Sequence, residues 1–63
     1  MEEEVTPEML KRATGKKVEV IAFGISYRGR LEKVDLRRGT IRVVDGKNAA
    51  TLEIERIEFF AKL

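Results

Sequence analysis

Neither a cysteine nor a histidine occurs anywhere in this 63-residue chain, and that absence limits what it can fold into more than any motif does. A domain this short buries only ~60 % of the surface its unfolded chain exposes. Small scaffolds usually draw on disulfides, bound metal or self-association. Without Cys or His, disulfides and the usual zinc ligand sets are excluded. Strong local consistency and oligomerisation remain, and both are expected.

The same absence restricts chemistry. There is no thiol nucleophile and no imidazole base. Ser26 is the only serine and has no base beside it in sequence. The eleven carboxylates mostly sit next to basic residues or at alternating positions, as on solvated faces. The expectation is a protein that is not an enzyme and holds no cofactor or metal. Charged residues make up 38 % of the chain, Gln is absent and Asn48 is the only asparagine. That composition resembles thermophile proteins. No apolar run approaches the ~20 residues needed to span a bilayer. Met1-Glu2-Glu3-Glu4 is the reverse of a basic signal-peptide start, so a cytoplasmic protein without membrane contact is expected.

Hydrophobic periodicity predicts one domain, residues 6–63, behind a disordered acidic tail, residues 1–5. Thr6 can cap a helix, Pro7 suits its first position, and Glu8 favours the positive end of its dipole. Met9, Leu10 and Ala13 form an apolar stripe, and Gly15 is a natural stop. Two to three turns would be unstable alone, so the helix must dock. After Gly15 the period becomes two, predicting a strand over residues 17–23. Phe23-Gly24 turns into a second strand, residues 26–35. There Val34 falls out of phase with Leu31, so a bulge near Glu32-Lys33 is expected. Gly29 in mid-strand points to tight curvature or close backbone approach.

A third strand is expected over residues 40–44, then a hairpin at Asp45-Gly46 with both residues at its centre. A fourth covers residues 50–55 and a fifth residues 57–61. The predicted fold class is mainly β: a short N-terminal α-helix plus a strongly bent five-stranded antiparallel barrel. The expected inward set is Leu10, Val18, Val20, Ala22, Tyr27, Leu31, Val34, Ile41, Val43, Leu52, Ile54, Ile57 and Phe59. Ile21, Phe23, Ile25, Val44 and Phe60 are left needing partners, which together with an open barrel's two edge strands marks an interface.

The pattern Val18-Glu-Val20 followed by Gly24-x-x-Tyr27-Arg28-Gly29-Arg30-Leu31-x-x-x-Asp35 resembles the first motif of Sm and Sm-like (LSm) proteins. The likeness covers roughly residues 5–60. It implies an SH3-like small barrel under a helix, and ring oligomers joined through the fourth and fifth strands, here near residues 52–54 and 57–60. It also implies RNA binding at the ring's face or rim. The family's asparagine four residues after the aspartate is replaced by Gly39. Its Arg-Gly before the last strand, and the histidine segment of the bacterial RNA-chaperone branch, are both absent from Glu53-Ile54-Glu55-Arg56-Ile57. The chain is also similar to the C-terminal Sm-like barrel of bacterial ribosome maturation factors. That likeness rests on Gly15-Lys-Lys-Val18-x-Val20, on Gly29-x-Leu31-x-x-Val34-Asp35, and on the ending from Ile54 to Leu63. It implies the same fold working through protein contact.

Charge is unevenly placed. Four of the eleven acids precede residue 9, so residues 9–63 hold thirteen bases and seven acids. Arg28, Arg30, Lys33, Arg37 and Arg38 crowd one strand and its turn. Such a stripe can neutralise phosphates, and Arg adds planar bidentate contacts. The candidate nucleic-acid-binding residues are therefore Arg28, Arg30, Lys33, Asp35, Arg37 and Arg38. Asp35 also reads as a turn residue bonding nearby amides. Tyr27 reads as core, and Phe59-Phe60 as core plus subunit interface. Two functions are expected to compete. One is a homo-oligomer binding RNA or single-stranded nucleic acid. The other is a protein-interaction or structural module, suggested by the acidic last third with Glu53, Glu55 and Glu58.

Overall fold

A computed structural model describes residues 5–63. The chain runs through α1 (Pro7–Ala13), β1 (Lys17–Ala22), β2 (Ile25–Asp35), β3 (Thr40–Asp45), β4 (Asn48–Glu53), one 3-10 turn (Ile54–Arg56) and β5 (Ile57–Lys62). All strand pairings are antiparallel, and the five form one sheet in the order β4-β3-β2-β1-β5. The fold is mainly β, as the periodicity predicts. β4 and β5 are the two ends of the sheet and do not pair with each other, so the sheet is open. The expected acidic tail falls on residues 1–4, outside the described residues. Val5, assigned to that tail, instead packs against the core.

Helix α1 begins where its chemistry dictates. The Thr6 hydroxyl accepts a hydrogen bond from the Met9 amide at 3.2 Å, with Pro7 in the first turn. One of the helix's orphan donors is thereby satisfied. At seven residues, α1 is about 10 Å long. Five strands side by side span ~19 Å. The helix therefore covers only part of the sheet's apolar face. Yet both ends of the sheet contribute to one buried cluster: Leu52 from β4 and Phe60 from β5 join Leu10, Val18, Val20, Leu31, Ile41 and Val43. Burial of that extent requires the sheet to curl over its own interior.

Two devices produce the curl. Pairing between β2 and β3 shifts register between Leu31 and Lys33, which is the expected bulge, and bulges bend the strand and raise its twist. The second is Gly29. A Cβ there would collide with the Val44 carbonyl oxygen, and would lie 2.9 Å from the Val44 carbonyl carbon and 3.2 Å from Asp45 Cβ. The backbones of β2 and β3 approach too closely for any side chain.

Several details differ from the sequence reading. Phe60 is buried and Phe59 is 46 % exposed, the reverse of the expected order. The 3-10 turn at Ile54–Arg56 ends β4 at Glu53, and Ile57 still pairs with the buried Ala22. The β1–β5 register then shifts between Ile57 and Phe59, which sets Phe59 opposite Ile21 and Phe60 opposite the buried Val20. Asp45 and Asn48 are cross-strand partners. The hairpin tip is therefore Gly46-Lys47, and only Gly46 has positive φ. Ala13, expected on the helix stripe, is buried in the core; Tyr27, Val34, Ile54 and Ile57 are only partly buried against it. Between β1 and β2, Phe23 and Gly24 both take positive φ, 56° and 73°. That is the type I′ pattern, whose twist suits a hairpin.

Candidate nucleic-acid interface

Strand alternation places alternate residues of β1, β2 and β3 on the solvent face. On β1 these are Lys17, Glu19 and Ile21; on β2 they include Ser26, Arg28 and Arg30; on β3, Arg42. Because the β2 bulge inserts a residue, Glu32 and Lys33 are both exposed beside Arg42.

Register then decides which charges meet. Glu19 stands opposite Arg28. Its Oε2 accepts from the Ser26 hydroxyl at 2.9 Å and from Arg28 Nε at 3.2 Å. These two bonds, the Ser26 one foremost, hold the Glu19 carboxyl below the ordinary glutamate range. Two residues along β1, on the same face, the pattern inverts. Lys17 stands directly opposite Arg30, and Lys33 directly opposite Arg42. Like charges facing each other across a ladder are destabilising. Among the described residues, Lys17, Arg30 and Lys33 have no ion-pair partner, while Arg42 Nε reaches Glu32 Oε1 at 2.7 Å.

The turn after β2 carries the remaining candidates. Asp35 Oδ1 accepts from the backbone amides of Arg37 and Arg38, both at 3.2 Å. Its other oxygen lies 3.8 Å from Arg38 Nε. Asp35 is thus a turn-forming residue that orients Arg38. Lys33, Arg38 and Arg42 surround a hollow of about 240 Å³, with Asp35, Thr40 and Thr51 also in its wall.

The predicted set is therefore divided. Lys33, Asp35 and Arg38 come together at one hollow. Arg28 lines a different cleft of about 290 Å³ with Ser26, Tyr27, Asp45 and Asn48, its charge partly offset by Glu19. Arg30 lies between the two groups, and Arg37 projects from the turn. Sequence reading missed Lys17, Arg42 and Thr51. Arg42 was visible as the polar member of Ile41-Arg42-Val43, but its nearness to Lys33 depends on the bulged register. Among the described residues, no group of three or more His, Cys, Asp or Glu side chains could hold a metal ion. No helix there is long and apolar enough to cross a membrane. No protein-family model, no curated protein and no solved structure matches this chain.

Proposed function

We propose that this chain is an Sm-like barrel protein that assembles with copies of itself and binds RNA or single-stranded nucleic acid. Binding would use the outward face of β1, β2 and β3 and the turn after β2. The observation that carries the reading is the pair of opposed like charges, Lys17 with Arg30 and Lys33 with Arg42. A solvated charge face kept for stability alone would alternate signs, as Glu19 and Arg28 do. Two same-sign pairs cost stability, and a polyanion laid across them removes that cost while releasing counterions.

Self-association is supported by the two unpaired sheet ends, β4 and β5. Beside β5 runs an apolar groove of about 380 Å³ walled by Met9, Ala13, Phe59 and Phe60. Pairing of a β4 edge with a neighbour's β5 edge would satisfy both ladders and cover the groove. Closure of the curled sheet into a barrel belongs to the same reading.

The decisive measurement is affinity for a short uridine- or adenine-rich RNA across a salt series. Log affinity should fall linearly with log salt; absence of binding at low salt overturns the proposal. Native mass by light scattering, with absorbance at 260 nm and with or without nuclease, tests assembly, and a monomer refutes that half. The same groove also suits a purely protein-binding module. A nuclease-resistant protein complex from a chain that ignores RNA would establish that instead.

A further inference from the structure

The hollow between the β2 bulge and the following turn carries a narrower assignment, which rests on the nucleic-acid reading above. We infer that it seats one internucleotide phosphodiester, gripped by Lys33, Arg38 and Arg42 and by the hydroxyls of Thr40 and Thr51, with Glu32 as its built-in competitor.

Three observations lead there. First, the donors converge. Lys33, Arg38 and Arg42 come from a strand, a turn and a neighbouring strand, yet share one hollow. Thr40 and Thr51 add hydroxyls that have no hydrogen-bond partner among the described residues. Second, the donors are spare. Arg42 presents five N–H groups in a fixed fork, and its ion pair with Glu32 is made through Nε. Among the described residues, Lys33 has no acidic partner. Third, the charge count selects the ligand. Three cations stand against the carboxylates of Glu32 and Asp35, which leaves one uncompensated positive charge. A phosphodiester carries one negative charge; a free phosphate carries more. The carboxylates therefore favour a backbone phosphate over inorganic phosphate or a terminal monoester. Glu32 holds the Nε edge of Arg42, so a bound anion takes the remaining N–H groups and competes with that carboxylate for the guanidinium's charge.

The test uses the full chain, a fluorescent short oligouridylate, and inorganic phosphate as competitor. Lys33→Gln should flatten the salt slope by about 0.7, the value of one single-strand phosphate contact. Between 50 and 200 mM salt that corresponds to about a 2.6-fold smaller loss of affinity. Thr51→Val should weaken binding without changing the slope, and Glu32→Gln should tighten it. None of the three should lower the melting temperature appreciably, because each residue is exposed and Lys33→Gln relieves a like-charge pair. Lys17→Gln, outside the hollow, should flatten the slope independently. If wild type binds and Lys17→Gln weakens it while Lys33→Gln and Thr51→Val do nothing, the seat is refuted and the broader reading stands. If wild type does not bind at low salt, both fall. Equal competition by inorganic phosphate on a per-phosphate basis overturns the phosphodiester assignment.

Discussion

Replacing Gly29 by Ala inverts an ordinary expectation. Gly inside a strand is normally a weakness, and Ala should recover roughly 0.5–1 kcal/mol of chain entropy. Gly29 is not among the positive-φ residues, so conformation alone would welcome the change. Space does not. The added methyl would collide with the Val44 carbonyl, 2.9 Å from its carbon. The obstacle is main chain in the paired strand, so no rotamer change relieves it. Either β3 moves away or β2 loses its bend. Forced overpacking of this kind costs about 1–3 kcal/mol. At 0.05–0.15 kcal/mol per residue, a chain of this size has only ~3–9 kcal/mol in total. Less the recovered entropy, the net loss is up to ~2.5 kcal/mol, with a central value of ~1 kcal/mol that should lower the melting temperature by roughly 4–8 °C. Thermal unfolding followed by circular dichroism, at matched protein concentration because assembly shifts the midpoint, measures it. A Gly29→Ala variant that melts at or above wild type would refute both the steric argument and the place of Gly29 in the curl.

Three further outcomes are expected. Thr6→Ala removes the cap on the Met9 amide and should cost about 1 kcal/mol in denaturant titrations; an unchanged midpoint would mean that the cap is not populated. Phe23 holds a left-handed conformation, φ 56°, while 60 % exposed. Phe23→Asn, giving the favoured Asn-Gly type I′ turn, should therefore stabilise by roughly 1 kcal/mol, and a lower melting temperature would argue that the ring makes contacts worth more than the strain. The Glu19 carboxyl, held low first by the Ser26 hydroxyl and then by Arg28, contributes stability that is present above the ordinary glutamate range. That contribution is lost as pH falls through the depressed folded-state value. Acid unfolding of Glu19→Gln should be correspondingly less steep than that of wild type, whereas parallel pH profiles would remove the Glu19–Ser26 bond from the account.

Local chemistry made much of the fold readable. Thr6-Pro7-Glu8 starts a helix because side chain, fixed φ and dipole all act within one turn. The alternation of Val18, Val20 and Ala22 assigns a buried face because strand side chains have period two. The phase slip between Leu31 and Val34 revealed the bulge for the same reason. Reading failed where a nonlocal contact decided the phase. A register shift in the β1–β5 ladder between Ile57 and Phe59 exchanged the environments of Phe59 and Phe60, and the local sequence shows no sign of that one-step shift. The basic strand was visible, but as a list of residues rather than a site.

Composition and periodicity by themselves determined that this chain is a helix followed by five strands, with an excess of bases on the second strand and its turn. Those properties depend only on each residue and its near neighbours. Pairing register decided the rest. It set Lys17 against Arg30 and Lys33 against Arg42, divided Arg28 from Arg38, and drew Thr51 from a distant strand to the same hollow. Which charges face each other is fixed by hydrogen-bonded ladders between segments far apart in sequence, and a one-residue bulge is enough to change every neighbour beyond it.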